Sequence, residues 1–315
     1  MAATKKYQSD GGPIDHKFYD SLYSKTFDDV RIVKDKVERE GKQFFANRNT
    51  NLKTYKEGEV LSVLDSPFVS EDTDRIKLVS PLEGYEQSIT TVAHRSGFIV
   101  TEDSVTMQKN NKLSQMLKGL PNTAIRMEEM AYSSIFNGGF TSETGGDGSY
   151  AFANDHYHED PQHGQWTNVA AAASSFNTVS YMVGYQNLQQ RKDAKGYPAR
   201  MQVDAVYYHV SQHEDVMKVH GSEKYPQNSL NATMMKEFGL FKPVSGVWLH
   251  SEDAWFIHAK VDESEKGFIM VWRKKPNYKP ISDPMNPDLI MGRRLKMALG
   301  VGVIHGRDWF ANTGI

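Results

Sequence analysis

Residues 113–158 read LSQMLKGLPNTAIRMEEMAYSSIFNGGFTSETGGDGSYAFANDHYH. Apolar residues fall at Leu113, Leu117, Leu120, Ala124, Met127, Ala131 and Ile135, in alternating steps of four and three, which places them on one face of a helix. One side of a long rod is therefore built to pack. Asn137, Gly138 and Gly139 then supply residues that tolerate positive φ, as a helix C-terminus needs, and Gly145 to Gly148 supply a second reversal. Inside the helix, Gly119 and Pro121 predict a kink or a short break, because proline removes one backbone bond and crowds the preceding turn. The spacing of the stripe continues in phase across them.

Composition limits what such a rod can belong to. At 315 residues and 35.7 kDa, a compact chain buries about three quarters of its unfolded surface, enough for one large domain or two modest ones. A formal charge of -2, from 37 basic and 39 acidic side chains, is too balanced for a protein whose main task is to grip nucleic acid or anionic lipid. The absence of cysteine excludes disulfides, thiolate metal sites and thiol nucleophiles, and fits a cytoplasmic origin. The polar stretch 1–20 has no apolar h-region, and no apolar run approaches the roughly 18 residues of a membrane helix. Neither a signal peptide nor a membrane partner is expected.

The first 60 residues hold 22 charged side chains, 37% against 24% overall, with short apolar clusters such as Phe18, Tyr19, Leu22 and Tyr23. This segment can form amphipathic helix but not a core of its own, so it must lean on something else. Residues 53–104 read as two long strands around the acidic, Pro-punctuated stretch 65–74, a protruding hairpin in which Ile89, Val92, Phe98 and Val100 form the second strand. The long helix follows, with Thr101, Asp103 or Ser104 as N-cap. A second helix is expected over 174–193, packing through Phe176, Val179, Val183, Tyr185 and Leu188, then a strand over 201–210 and a short helix over 212–219. Runs at 247–249, 254–259 and 268–272 read as strands. Pro276, Pro280, Pro284 and Pro287 mark a rigid loop, and 295–304 reads as helix then strand. The class is α+β.

Chemistry is thinner. His156, His158 and His163 with Glu159 and Asp160 begin like a dinuclear zinc motif, His-x-His-x-Asp. The motif stops at Pro161, where a third histidine belongs, so a polar loop with exposed imidazoles is the better expectation. Gly145, Gly146 and Gly148 could cradle a phosphate, but no Walker or dinucleotide pattern surrounds them, and a structural turn is preferred. No serine sits in a nucleophile elbow. Arg273, Lys274, Lys275 and Lys279 form a basic patch beside Trp272 and Tyr278, and Arg293, Arg294 and Lys296 form another; each could face DNA or a neighbouring subunit, although a solvated loop is the commoner meaning. Glu128 and Glu129 are expected on the wet side of the rod, where a neighbour's basic residue could meet them.

The block from Met127 to His158 resembles the tailed-phage major capsid proteins of the Hong Kong 97 fold, closest to the Mu-like head subunit group. There a spine helix with a glutamate near its end runs into Phe-Asn, a Phe, a Gly-Asp-Gly turn and an aromatic-to-His segment. Here these are Glu128, Phe136, Asn137, Gly138, Phe140, Gly146, Asp147, Gly148 and His156. The resemblance implies an N-terminal arm at 1–50, an E-loop at 51–104, a P-domain at 105–195 and 291–315 with its spine helix at about 105–137, and an A-domain at 196–290. It implies a major capsid protein, not an enzyme and without cofactor or metal, that forms hexamers and pentamers of a shell around double-stranded DNA. The expected partners are further copies of itself, a separate scaffolding protein since no long N-terminal segment precedes the arm, a portal and a decoration protein. The expected place is the virion capsid, assembled in the host cytoplasm. A cellular encapsulating shell of the same fold, and a metal-dependent hydrolase using His156, His158 and His163, are the alternatives.

Overall fold

In the computed structural model the described residues are 16–35, 37–61, 82–101, 110–158, 164–193, 198–220, 241–281 and 289–314. The hairpin tip at 65–74, the N-cap candidates Asp103 and Ser104, and His163, Glu159, Asp160, Pro284 and Pro287 lie outside them. The helices are α1 (His16–Asp35), α2 (Asn110–Gly138), α3 (Thr178–Gln189) and α4 (His213–His220). The strands are β1 (Ala46–Asn49), β2 (Thr54–Leu61), β3 (Leu82–Thr90), β4 (Val92–Thr101), β5 (His156–Tyr157), β6 (Gln165–Trp166), β7 (Val203–His209), β8 (Lys242–Gly246), β9 (Trp255–Ala259), β10 (Phe268–Pro280), β11 (Leu289–Val303) and β12 (Trp309–Asn312). Two four-stranded sheets, ordered β1-β10-β11-β4 and β12-β9-β7-β8, and two strand pairs, β2-β3 and β5-β6, complete the list.

The chain forms two units, one from residues 1–37, 93–126 and 275–297, the other from 38–92, 127–274 and 298–315. In the larger unit, β7 runs parallel to β8 and antiparallel to β9, and β12 extends the sheet antiparallel to β9. Alternation along these strands splits their side chains between two faces. Val206, Tyr208, Trp255, Ile257 and Phe310 pack with Phe176, Tyr181 and Leu188 around α3 and with Val216 and Val219 of α4. Tyr207, Phe256 and Trp309 turn the other way, into an aromatic cluster with Phe44, Phe136, Phe152 and Phe268. In the smaller unit, Phe27 of α1 packs against Phe98 of β4 and Tyr278 of β10, with ring centroids 6.3 and 5.5 Å apart.

Several expectations need correction. The helix α2 continues unbroken through Pro121, and the Thr123 hydroxyl donates to the Gly119 carbonyl at 2.9 Å, a bond that accompanies bending more than breaking. β2 and β3 do pair antiparallel, with a register shift between Gly58 and Val60. Ile89 lies in that hairpin, but Val92, Phe98 and Val100 do not. The Thr91 N–H and hydroxyl both donate to the Lys53 carbonyl, at 2.8 and 2.9 Å, closing its base, and the chain then departs as β4 beside β11. In α3 the buried residues are Ser180, Tyr181, Gly184 and Leu188, while Val179 and Val183 are 75% and 50% exposed. The reciprocal cap between Asn177 and Ser180 fixes where the helix starts and hence which face turns inward. Val247 to Leu249 form no strand. Pro276 and Pro280 lie within β10 rather than in a loop, and 295–303 is strand throughout rather than helix then strand.

Candidate functional site at the end of the long helix

The C-terminal turn of α2 is tied to the larger unit by ring contacts and by hydrogen bonds of both side chain and backbone. Phe136, 2% exposed, is the centre of the aromatic cluster, with edge-on partners Tyr207 at 4.8 Å, Trp309 at 5.0 Å and Phe256 at 5.1 Å. Such pairs prefer this tilted geometry because the ring edge carries the positive end of the quadrupole. Asn137 uses both ends of its amide: Nδ2 donates to the Trp248 carbonyl at 3.0 Å and Oδ1 accepts from the His250 N–H at 2.8 Å. These two hydrogen bonds hold the 247–250 loop against the helix end. The Gly138 carbonyl accepts from the N–H groups of Thr141, Ser142 and Glu143, which absorbs acceptor capacity that a helix end otherwise leaves open. At Gly139 a Cβ would stand 2.5 Å from both the Ile135 carbonyl oxygen and the Phe152 ring, so any side chain there would force its surroundings to shift. Phe140 continues the cluster against Phe152 and Phe256.

The second reversal is closed by backbone. Gly146 N–H donates to the Ile304 carbonyl at 2.8 Å, Gly148 N–H to the Gly145 carbonyl at 3.1 Å, and Gly148 takes φ +82. These N–H groups point at protein carbonyls, so the turn is not a phosphate cradle. Asp147 accepts from Ser149 N–H at 3.1 Å and meets His156 Nδ1 at 2.7 Å. Burial alone would raise the Asp147 carboxyl, but the bonds from His156 and Ser149 hold it below the usual carboxylate value.

His156 and His158 are buried, at 1% and 4% exposure, which corrects the expectation of exposed imidazoles. The His156 ring lies over Trp166, 4.3 Å between centroids, with Asn168 Oδ1 at 3.2 Å from its second nitrogen. Both ring nitrogens therefore face protein oxygens, and among the described residues no group of three or more such side chains is set to hold a metal. Asn168 is itself a hub: Oδ1 accepts from Ala153 N–H, and Nδ2 donates to the Ala151 and Gly306 carbonyls.

Glu128 and Glu129 are likewise buried, at 8% and 6% exposure, not on a wet face. Arg39 Nε donates to Glu128 at 2.7 Å and the Glu40 N–H donates to Glu129 at 3.0 Å. The basic partner of Glu128 is thus in its own chain. Burial raises the Glu129 carboxyl. The basic candidates do not converge here: Arg273, Lys274 and Lys275 lie on β10, Arg293 and Arg294 on β11.

Sequence reasoning missed three residues of the larger unit. Arg191, fully buried, donates to the carbonyls of Arg307 and Trp309 at 3.0 and 3.2 Å, bonds Asn187, and lies 4.9 Å from the Trp166 ring centre; burial lowers its guanidinium to about 9. His258 stands between Asp204 and Asp308, at 3.7 and 3.6 Å, beneath the Trp309 ring. Arg39 was the third. A lone charge between apolar residues, as at His258 and Asp308, was the only available signal.

Taken together these contacts fasten the end of the long helix to its surroundings, and solved structures show what kind of fold it fastens. The capsid of the cyanophage P-SCSP1u matches at TM-score 0.54 and 9% identity, over 86% of this chain and 86% of that one. The capsid of a native GTA particle matches at 0.53 and 11%, over 88% and 90%. A chain of the Microbacterium phage Oxtober96 structure matches at 0.52 and 10%, over 100% and 96%. The chain has the Hong Kong 97-type capsid fold. No family model matches it, and no curated protein is similar to it in sequence. In this fold α2 is the long helix, and the bonds at its end join it to the β12-β9-β7-β8 sheet through Phe136 and to the 247–250 loop through Asn137.

Proposed function

We propose that this chain is a major capsid protein, the head subunit of a tailed phage, which self-assembles as hexamers and pentamers into an icosahedral shell around double-stranded DNA. The observation that carries the reading is the Hong Kong 97-type fold over nearly the whole chain, shared with phage capsids. Two features support it. In the β2-β3 ribbon Thr54, Lys56, Gly58, Glu86, Ser88 and Thr90 are exposed on the chain alone, so the ribbon gains by lying on a neighbour, at about 25 cal/mol per Å² of apolar area covered before association costs. Val179 and Val183 on α3, and Val247 after β8, leave apolar side chains in water, as surfaces that pair with other copies do. In this reading 1–50 is the arm, 51–104 contains the E-loop, 105–195 and 291–315 form the P-domain and 196–290 the A-domain. In this reading the helix-end block resembles that of the Mu-like head subunits. The partners are further copies, a scaffolding protein, a portal and a decoration protein, the site is the virion, and assembly takes place in the host cytoplasm. The residues of the helix-end block act by holding shape and carry out no catalysis.

Sedimentation and negative-stain microscopy of the purified protein test this. Closed particles of megadalton mass, or free hexamers and pentamers, are expected, with nuclease-protected DNA in particles made in infected cells. Closed particles holding protein cargo instead of DNA would reassign the chain to a cellular shell. A chain that stays monomeric with and without scaffold would refute the shell reading.

A further inference from the structure

The smaller unit contains a sheet with two unlike faces. Phe98, Tyr278 and Arg293 all meet α1, through Phe27 and, for Arg293, a 2.6 Å bond to the Ser24 hydroxyl. Strand alternation puts their sequence neighbours on the opposite face: Arg95 on β4, Lys275 and Lys279 on β10, Arg294 on β11. All four are exposed. Ile281 identifies this as one shared face, because its side chain lies over both Gly97 and Gly292, 3.5 and 2.8 Å from where their Cβ atoms would be. Lys296 is exposed on the same face and has an interaction of its own, so it is left out of the count.

Charge on this sheet is one-sided. No Asp or Glu occurs in β4, in 275–280 or in 289–297. The bond from Ile281 N–H to the Gly292 carbonyl, 2.9 Å, sets Lys279 alongside Arg294, and like charges placed across two strands repel. An anion between them would turn that repulsion into attraction. Lys275 and Lys279, four residues apart, stand about 13 Å from each other along the strand. A protein-binding patch needs an apolar centre, and among the described side chains of this face in the smaller unit the only large apolar ones are Ile99 and Ile281.

We infer that the face carrying Arg95, Lys275, Lys279 and Arg294 is a docking surface for the phosphate backbone of nucleic acid, without sequence reading. The inference rests on the shell reading and deepens it, since it says which surface of the subunit meets the packaged polyanion. It also separates the sequence candidates: Lys275 and Arg294 belong to the surface, while Arg293 is spent on α1.

The test uses the full-length unassembled subunit and a 20-base-pair DNA duplex, with binding followed by fluorescence anisotropy across a salt series. The variant is Arg95→Gln, Lys275→Gln, Lys279→Gln, Arg294→Gln. A control removes the same charge elsewhere, Lys56→Gln, Lys192→Gln, Lys218→Gln, Lys260→Gln, all exposed positions of the larger unit. Loss of about tenfold or more at low salt, with the log–log salt slope falling by about 2 to 4, is expected for the face variant only. The milder pair Lys275→Gln, Lys279→Gln should fall between, and guards against misfolding of the fourfold variant. Equal loss in variant and control, no loss in either, or preference for polyglutamate over DNA would overturn the inference. So would a face variant that binds DNA normally yet no longer forms shells, which would make the face a contact between copies. If the unaltered protein forms no shells but the face-specific loss persists, the shell reading fails and the docking surface stands.

Discussion

Replacing Arg39 by Met should be among the most damaging single changes in the larger unit, and the structure gives the size of the effect. Arg39 Nε and Glu128 Oε2 are 2.7 Å apart with side chains 9% and 10% exposed. At an effective dielectric of about 20, charges at that separation attract by about 6 kcal/mol, an upper bound that desolvation largely offsets. Removing one partner leaves the other charged and buried, beside the Glu129 carboxyl in the next position. Arg39→Met should therefore cost about 3–5 kcal/mol, a fall of about 6–10 °C in Tm at about 2 °C per kcal/mol. Glu128→Gln keeps an oxygen for the guanidinium and should cost about 1.5–3 kcal/mol. The double variant Arg39→Met, Glu128→Leu removes both members of the ion pair and should lie within about 2 kcal/mol of the unaltered subunit. Thermal and urea unfolding of the unassembled subunit give all three values. A cost below about 1 kcal/mol for Arg39→Met, or additive costs in the double variant, would show that the two groups do not depend on each other.

Phe136→Ala empties the centre of the aromatic cluster and should cost about 3–5 kcal/mol in the same unfolding experiment. Gly139→Ala should cost about 1–3 kcal/mol, because the obstacle is the Ile135 carbonyl as well as the Phe152 ring and backbone cannot step aside as a side chain can. His258 supplies a pH dependence. Burial alone pushes its imidazole down, but the attraction of Asp204 and Asp308 outweighs this and holds it above the ordinary value of 6.5. Its contribution to stability is then complete below pH 6.5 and lost as pH rises through the raised folded value. Tm of the unaltered subunit minus that of His258→Gln should shrink steadily from pH 6 upward, and a difference that grows with pH would refute the assignment.

The parts of the fold legible in the sequence were those where local signals agreed. The stripe through Leu120, Ala124 and Ile135 gave the helix, because propensity and period point the same way, and Asn137 to Gly139 gave where it ends but not how, since positive φ occurs at Gly148 and not at these three residues. β10 was hidden by its prolines. Its first residues, Phe268 to Trp272, carry the β1 pairing as far as Asn49, and Pro276 and Pro280 fall beyond it, where a missing N–H costs no bond to that neighbour. The segment from Leu295 to Leu299 is made of good helix formers, yet strand partners decide its state. In the helix-end block, His156 looked exposed because the residues around it are polar. What hid its burial is that Asp147, Asn168 and Trp166 reach it from separate turns, a convergence no window of sequence displays. Glu128 and Glu129 misled for the same reason, their partners lying 89 residues earlier.

The division of the chain into two units has a consequence for the order of events during synthesis. Each unit is assembled from three separate stretches, and the last stretch of the smaller one, 275–297, precedes the last of the larger, 298–315. The larger unit cannot be completed without 298–315, and neither unit can be cut out as a continuous fragment. A nascent chain therefore closes its smaller unit only when β11 has emerged and its larger unit only with β12. A copy that ends before 298 lacks the closing stretch of the larger unit, so the threading of the chain itself marks incomplete copies.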